Sequence, residues 1–270
     1  MERLEIGLLG PLMVTVGGTS VVPSAAKQRR LLALLAVNLG REVGMGAIEE
    51  ELWAGCPPTG PAAAVQTYVK QLRRRIAAAT SLMPGRADAK EILSRGYTGY
   101  RLDMPESGID ARDFEAAVRE GTRALAAGED ERGARLLAAG LAMWRGPALD
   151  DVQPGGALRA EALRLDEVRL AALEARIGAD LRLGRHTHLV SELTALTSLY
   201  PLQESLHAQL ILALYRSGRP SRALEVFRWL RETCVRELGI EPSRRLQELH
   251  RSVLACDPLL DSPTPSLATF

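Results

Sequence analysis

Hydrophobic residues in the first hundred positions change from strand-like to helix-like spacing and back again. Short apolar or β-branched runs bounded by Gly-Pro and Gly-Gly pairs predict strands, and leucines spaced three or four positions apart predict helices. The elements predicted in this way are strands at 4–9, 13–16 and 20–22, helices at 27–39, 47–53 and 62–79, a break at Pro84-Gly85, and a β-hairpin at 91–102 with Arg95-Gly96 near its tip. The first predicted domain, residues 1–104, therefore contains a three-stranded antiparallel sheet, three helices and a hairpin.

The pattern from Asp110 to Cys256 is helical throughout, with breaks at glycine and proline. Two stretches repeat each other at an offset of 34 residues, since Gly184, Leu189, Leu193 and Leu196 correspond to Gly218, Ala223, Phe227 and Leu230. This offset is the period of tetratricopeptide repeats, which are stacked pairs of antiparallel helices. The second predicted domain, residues 108–257, is accordingly an all-α, tetratricopeptide-like domain, and the Pro- and Ser-containing tail 258–270 is predicted to be disordered.

Composition agrees with a mainly α fold that has a small β component. Aromatic residues make up 4% of the chain, too few for a typical all-β sandwich, whereas the helix-favouring residues Leu and Ala dominate the apolar set. The net charge of +1 conceals an asymmetry, because residues 1–103 contain 13 Lys/Arg and 9 Asp/Glu while the rest of the chain contains 21 and 24. The basic residues are thus concentrated, relative to acidic ones, in the first predicted domain.

The helix predicted at 62–79 has two contrasting faces. On a helical wheel, Val65, Val69, Leu72 and Ile76 form an apolar face that would dock on the preceding helices. The opposite face contains Thr67, Lys70, Gln71 and Arg74, with Arg73 on its flank, and no acidic residue occurs from Gly60 to Ala87. Such a face suits the major groove of DNA, where long cations and glutamine reach base edges or phosphates. In an isolated helix, however, a solvated basic face is the commoner explanation.

The neighbouring elements favour the nucleic-acid interpretation. A helix, a turn, a second helix with a basic face and a hairpin bearing Arg95 make up a winged helix-turn-helix. A wing arginine would lie at the adjacent minor groove, where a narrow groove concentrates negative potential. Taken alone, Arg95 is equally compatible with a hairpin arginine in solvent.

Several segments carry a resemblance to a known family. LEIGLLGPLMV, AAKQRRLLALL, IEEELWAGCPP, VQTYVKQLRRRI and SRGYTGYRLD resemble, in order, the OmpR-like winged helix of the Streptomyces antibiotic regulatory proteins. Farther along, IDARDFEAAVREG, LAMWRGPALDDV, LILALYRSGRPSRALEVFRWLR and ELGIEPSRRLQELH resemble the bacterial transcriptional activation domain of the same family. The resemblance extends over about residues 3–258, and the shared order of the segments is more specific than any one of them.

The resemblance implies a cytoplasmic, nucleoid-associated activator of a biosynthetic gene cluster, such as one for an antibiotic. Family members bind direct repeats that overlap the promoter −35 region as a head-to-tail, side-by-side pair, and they contact RNA polymerase with its sigma factor. Carried over by position, the DNA contacts would be Thr67, Lys70, Gln71, Arg73 and Arg74 on the recognition helix, Arg95 and Tyr97 on the wing, and Gln28 and Arg29 at phosphates. The loop containing Trp53, Ala54, Gly55, Pro57 and Pro58 would face the polymerase.

No set of residues predicts catalysis, a metal or a cofactor. His186 and His188 have no cysteine or carboxylate at metal-ligand spacing, and Cys56 has no histidine nearby in sequence. The charged N-terminus and the lack of a membrane-length apolar run predict a cytoplasmic protein without a membrane partner. A second hypothesis remains open, namely a tetratricopeptide-like adaptor that binds proteins and has no specific DNA binding.

Overall fold

The computed structural model describes residues 4–81, 88–103 and 108–262. Seven strands are present in these ranges: β1 Leu4–Gly7, β2 Met13–Val16, β3 Thr19–Ser20, β4 Val43–Gly44, β5 Leu93–Arg95, β6 Gly99–Leu102 and β7 Gly108–Ile109. The α-helices in the same ranges are α1 Ala26–Val37, α2 Met45–Trp53, α3 Pro61–Thr80, α4 Ala89–Ile92, α5 Asp110–Ala126, α6 Asp130–Leu141, α7 Gly156–Arg182, α8 His186–Leu199, α9 Glu204–Arg216, α10 Pro220–Leu238 and α11 Arg244–Leu254. The fold class is therefore as predicted, mainly α with a small β component.

The chain divides into two compact units. Unit 1 consists of Met1–Ala117 with Gly140–Arg169, and unit 2 consists of Val118–Ala139 with Leu170–Phe270. Three of the helices, α5, α6 and α7, contribute residues to both units. Among the described residues, none of the helices has both the length and the apolar character that crossing a membrane would require.

The first sheet of unit 1 has the strand order β3-β2-β1-β7. β1 is antiparallel to β2, with Ile6 opposite Val14, and it is parallel to β7. The three predicted antiparallel strands are present, although the third covers Thr19–Ser20 instead of 20–22. β7 was not predicted, because two residues carry too little pattern and the strand forms only by pairing with β1.

Three helices, α1, α2 and α3, form the winged-helix core in the predicted order. Their buried side chains are mainly leucine, isoleucine and valine, including Leu31, Leu32, Leu35, Ile48, Leu52, Val65, Val69, Leu72 and Ile76. Pro61 is the first residue of α3, where its missing N–H costs no helical hydrogen bond. The apolar stripe of α3 is consequently fixed against the core, and this determines which of its residues face outward.

The wing is a hairpin of β5 and β6 that is extended by β4, in the order β4-β6-β5. Gly99 begins β6 at a point where the chain passes very close to β4. A Cβ atom on Gly99 would lie 1.8 Å from the carbonyl oxygen of Val43, so this position requires glycine. The residues between the strands, Gly96 to Thr98, form the tip near the predicted position.

A buried carboxylate joins α2 to the start of α7 within unit 1. Glu51 is 1% exposed, and its carboxylate accepts hydrogen bonds from the backbone N–H groups of Gly155 at 2.5 Å, Ala157 at 2.9 Å and Leu158 at 3.3 Å. Gly155 directly precedes α7, and Ala157 and Leu158 lie in its first turn, whose N–H groups have no partner within the helix. A negative charge at a helix N-terminus is also favoured by the helix dipole.

Unit 2 contains the predicted repeat. α8 and α10 begin at His186 and Pro220, 34 residues apart, and each follows a glycine in the left-handed conformation, Gly184 at φ 77° and Gly218 at φ 71°. α9 packs against α8, α10 and α11. The core consists of buried apolar residues on these helices, among them Leu189, Leu193, Leu210, Ala223, Phe227, Leu230 and Leu249.

The start of the tail is ordered, contrary to the sequence-based expectation. Pro258–Asp261 form a turn of 3-10 helix, and Leu260 is fully buried in the unit 2 core. The Arg216 side chain donates to the carbonyls of Leu260 and Ser262 at 2.7 and 2.5 Å. The prediction of disorder is therefore wrong for these four residues. The predicted break at Pro84-Gly85, the domain boundary near residue 104 and the remaining tail 263–270 lie outside the described residues.

Candidate nucleic-acid interface

The two faces predicted for α3 are present in the structure. Val65, Val69, Leu72 and Ile76 are each at most 2% exposed. The outward face carries Gln66, Thr67, Lys70, Gln71, Arg74 and Arg75, all exposed. Because the apolar stripe is anchored in the core, the polar face is held in one orientation, and no other part of residues 4–81, 88–103 and 108–262 covers it.

A groove of about 480 Å³ separates α3 from the wing. Its polar lining includes Gln66, Lys70, Arg73, Arg74, Asp88, Lys90, Arg95 and the ring of Tyr100. Five of these side chains are cationic and one is a carboxylate. The Asp88 carboxylate accepts a hydrogen bond from the backbone N–H of Lys90 at 2.9 Å, so it caps the short helix α4. The groove between α3 and the wing therefore has an excess of positive charge.

Arg73 occupies a different position from its neighbours on α3. Its Nε donates to the carbonyl oxygen of Leu93 at 2.9 Å, and the side chain is half-buried. This bond connects α3 to the base of the wing. The same guanidinium group lines the groove, so Arg73 fixes the wing as well as adding charge.

The other flank of α3 faces the start of α1. Gln28, Gln71, Arg74 and Arg75 line a second groove there, and the Gln28 side-chain amide donates to Oε1 of Gln71. Arg29 is not part of this group, because it forms an ion pair with Asp151 at 3.0 Å and donates to the Pro23 carbonyl at 3.0 Å. The structure thus brings Gln28 to the predicted surface and gives Arg29 a structural partner instead.

The tip of the wing is exposed, and hydrogen bonds to an acidic residue, Glu42, fix its conformation. The side chain of Tyr97 is fully exposed, and Arg95 is exposed beside it. The carboxylate of Glu42 accepts hydrogen bonds from Thr98 N at 2.6 Å, Thr98 Oγ1 at 2.8 Å and Gly99 N at 2.7 Å. The bond from the Thr98 hydroxyl is the main reason why the pKa of Glu42 is lowered. The turn that presents Arg95 and Tyr97 is consequently fixed.

The loop predicted to face the polymerase follows α2. Ala54, Gly55, Pro57 and Pro58 are exposed, and the chain turns through left-handed conformations at Ala54 and Gly55. Trp53 is half-buried at the end of α2, where the Lys27 ammonium lies 5.5 Å from its ring centroid.

Two cations form hydrogen bonds with the last carbonyl groups of α2, directly before that loop. Lys27 donates to the carbonyl of Leu52, and Arg30 donates to the carbonyls of Glu51 and Leu52 at 3.3 Å. Desolvation, together with the nearby charge of Arg30, lowers the pKa of Lys27. Cations at the end of a helix compensate its unpaired carbonyls and its dipole, so this contact stabilises the helix from which the loop departs.

Three residues of the site were not singled out from sequence. Lys90 lies in the groove because α4 is close to α3, and this proximity is not indicated by the local sequence. Glu42 and Glu51 act on partners 56 and 104 positions away. A local signal exists only for α4, where Asp88 two residues before Lys90 is a typical N-cap.

The described residues contain no group of three or more His, Cys, Asp or Glu side chains arranged to hold a metal ion. Cys56 and Cys256 are exposed, Cys234 is buried, and all three are free thiols.

Comparison with known proteins identifies the family. The bacterial transcriptional activator domain matches residues 109–254. The regulatory protein DnrI of Streptomyces peucetius is 44% identical over 264 residues, which cover 98% of this chain and 97% of DnrI. The transcriptional regulatory protein EmbR of Mycobacterium tuberculosis is 38% identical over 258 residues, which cover 96% of this chain and 65% of EmbR.

A solved structure has the same fold. Mycobacterium tuberculosis EmbR in complex with a low-affinity phosphopeptide matches with a TM-score of 0.86 and 37% identity, covering 100% of this chain and 70% of the EmbR chain. The winged helix, the helical repeat and the sequence matches along nearly the whole chain lead to the same assignment. The chain belongs to the Streptomyces antibiotic regulatory protein family of transcriptional activators.

Proposed function

We propose that the chain binds specific DNA sequences, with α3 in the major groove and the wing at the adjacent minor groove. The observation that carries this proposal is the groove between α3 and β5–β6, which has five cationic side chains and a single carboxylate. Phosphate contacts by such cations supply much of the affinity for DNA, and contacts to base edges supply specificity. The function proposed is binding, not catalysis.

Each exposed side chain of α3 has a role that its chemistry suggests. Arg74 can donate two hydrogen bonds to guanine, and Lys70 can contact a phosphate. Thr67 and Gln71 can contact bases or their methyl groups, while Ala63 is small enough to let the helix approach closely. Arg95 on the wing suits a narrow minor groove.

We further propose that two copies bind direct repeats overlapping the −35 element of promoters in a biosynthetic gene cluster. A head-to-tail pair on direct repeats needs no two-fold interface, so the pair can form on the duplex itself. The exposed loop of Ala54, Gly55, Pro57 and Pro58 is the proposed contact with RNA polymerase and its sigma factor. The names of the relatives as transcriptional regulators support this function, which would be exercised at the nucleoid in the cytoplasm.

The test begins with selection of bound sequences from a random duplex library by the purified full-length chain. The affinity for the selected site is then measured for wild type, Lys70→Ala and Arg74→Ala. We expect Arg74→Ala to weaken binding by about 1–3 kcal/mol and to relax the preference at one base pair. Lys70→Ala removes the proposed phosphate contact and should weaken selected and random sequences alike.

The matched control is Arg119→Ala, which removes an exposed arginine from α5, outside the groove. It should leave the affinity unchanged. Enrichment of no sequence would contradict the proposal and leave the protein-binding adaptor as the better hypothesis. Enrichment of a sequence that wild type, Lys70→Ala and Arg74→Ala bind equally well would retain DNA binding but reject α3 as the reading element.

A further inference from the structure

Unit 2 contains a cavity of about 270 Å³ between α8, α9 and α10. The apolar wall consists of Val190, Leu210, Leu214, Val226 and the ring of Trp229, and the rest of the lining is polar and includes Thr194, Thr197 and Ser198. Trp229 is 48% exposed although it is a large aromatic residue in the middle of α10. The volume is slightly below the usual range for small-molecule sites, about 300–1,000 Å³, so the cavity suits a ligand of one ring.

A buried histidine in this cavity has an unused hydrogen-bond acceptor. His207 is 1% exposed, and its ring stacks on Trp229 with centroids 5.5 Å apart. Its Nε2 lies 3.2 Å from the carbonyl oxygen of Pro201, while Nδ1 has no partner among the described residues. Burial lowers the pKa of His207 to about 4, which keeps the ring neutral at physiological pH.

These contacts determine which ring nitrogen carries the proton. A carbonyl oxygen can only accept, so Nε2 is the protonated nitrogen and donates to Pro201. Nδ1 is then a bare acceptor in a buried position, and leaving such an atom unpaired is unfavourable. A ligand that supplies an O–H or N–H group to Nδ1 would satisfy it.

The rim of the cavity has an excess of positive charge. Arg219 and Arg222 line it together with one carboxylate, Glu225. Arg222 lies 3.5 Å from Glu225 in an exposed pair, and Arg219 forms no ion pair within the part of the chain that the structure describes. A cation of this kind favours an anionic group on a ligand whose other end is buried.

We propose that this cavity is a binding site for a small planar aromatic molecule that carries a carboxylate and a hydroxyl donor. The ring packs on Trp229 and the apolar wall, the hydroxyl donates to His207 Nδ1, and the carboxylate pairs with Arg219 and Arg222. This site is distinct from the proposed DNA-binding surface, and its existence does not depend on DNA binding.

The experiment is calorimetric titration of the full-length chain with para-hydroxybenzoate, benzoate and phenol. The three probes share a ring of the same size, but benzoate lacks the hydroxyl and phenol lacks the carboxylate. We expect para-hydroxybenzoate to bind about tenfold more tightly than either of the others, because each of those loses one hydrogen-bonding group.

Variants locate the binding in the cavity. Replacing both exposed arginines, Arg219→Ala with Arg222→Ala, should weaken para-hydroxybenzoate about tenfold and leave phenol unchanged. Trp229→Ala should weaken all three probes. Arg228→Ala, on the same helix but outside the cavity, should change none of them. These positions are exposed, so the test does not require replacement of the buried histidine.

Several outcomes would overturn the proposal. They are a lack of saturable binding of para-hydroxybenzoate, equal affinity for the three probes, or an affinity that neither the paired arginine variant nor Trp229→Ala alters. Self-association of the chain that Trp229→Ala abolishes, without probe binding, would assign the cavity to a second copy and also reject the proposal. DNA binding measured on the same samples reports separately on the function proposed above.

Discussion

The basic face of α3 and the surface of unit 2 contain the same residue type in different electrostatic surroundings. In unit 2, Arg176 pairs with Asp180 at 3.2 Å and Arg182 pairs with Asp130 at 2.6 Å. On α3, by contrast, Lys70 and Arg74 form no ion pair within residues 4–81, 88–103 and 108–262. The sequence offers no nearby acidic partner, since none occurs from Gly60 to Ala87.

The comparison shows that the position of the carboxylates, more than the number of arginines, determines whether a surface can bind an anionic ligand. An arginine held by carboxylates has its hydrogen-bond donors committed to the fold. An exposed cation without such a partner keeps them for an anionic ligand and retains its long-range attraction for it. Arg182 of unit 2 connects α7 to α6, whereas α3 leaves Lys70 and Arg74 available for phosphates and bases.

The largest expected effect comes from placing a carboxylate on the basic face. Gln71→Glu puts a negative charge within one helical turn of Arg74 and Arg75, and opposite any phosphate or base that α3 approaches. We expect the affinity for the selected DNA site to fall by about 3 kcal/mol or more, because like charges at an interface cost several kcal/mol. Fluorescence anisotropy with labelled duplex measures this change.

Gln153→Glu is the control for that variant. It makes the same change of charge at an exposed position of unit 1 that does not line the α3 grooves. A similar loss of affinity in both variants would mean that net charge, and not the face of α3, governs binding.

The second effect concerns His207, an ionisable group that unit 2 buries. The pKa of His207 in the folded chain is about 4, mainly because burial disfavours the charged ring, against an ordinary value of 6.5. As pH falls below 6.5 the unfolded chain takes up a proton that the folded chain does not, so stability decreases. Between pH 8 and pH 5 the expected loss is about 2 kcal/mol in the free energy of unfolding.

Urea unfolding at several pH values, monitored by circular dichroism, checks this expectation. His250 contributes in the same direction, since burial also lowers its pKa. His207→Leu should therefore reduce the dependence on pH without removing it. A variant with the wild-type pH dependence would show that His207 is not the group responsible.

A third test removes the carboxylate partner of an arginine in unit 2. Asp130→Asn leaves Arg182 without the charge that it contacts through both Nε and Nη2. Since both side chains are partly exposed, we expect a loss of about 1–2 kcal/mol in the free energy of unfolding, with DNA affinity unaffected. Chemical unfolding and anisotropy on the same preparation separate the two quantities, and a substantial fall in DNA affinity would count against the comparison.

The smallest expected effect is at the wing. Arg95→Ala removes one exposed cation at the groove edge, and the expected loss of DNA affinity is about 1 kcal/mol. The loss should be greatest for sites whose flanking sequence has a narrow minor groove. Arg101→Ala, also exposed in the hairpin but outside the groove lining, is the control. Equal effects of the two variants would argue against a specific role for Arg95.

Local pattern was sufficient to predict α3 and its faces. A strong 3.6-residue period, a proline at the first position and a carboxylate-free stretch are all contained in about twenty residues, and they need no tertiary information. The repeat in unit 2 was predictable for a similar reason, because Gly184 and Gly218 mark helix ends at a fixed spacing.

Contacts between distant residues were not predictable in this way. β4 and β7 have two residues each and exist through pairing with β6 and β1. Arg29 was assigned to phosphate by its position on α1, but its partner Asp151 lies 122 positions later. Leu260 is buried by Arg216 and the unit 2 core, although its local sequence, rich in proline and serine, is typical of disorder.

The central claim is that the unpaired cations of α3 contact DNA phosphates and bases. The most direct test is the salt dependence of the dissociation constant for the selected site, compared between wild type, Lys70→Ala and Arg231→Ala. Arg231 is paired with Glu241 in unit 2. We expect Lys70→Ala to reduce the log–log slope by about 0.9, as for one lost phosphate contact, and Arg231→Ala to leave it unchanged. An unchanged slope for Lys70→Ala, or an equal reduction for Arg231→Ala, would contradict the claim.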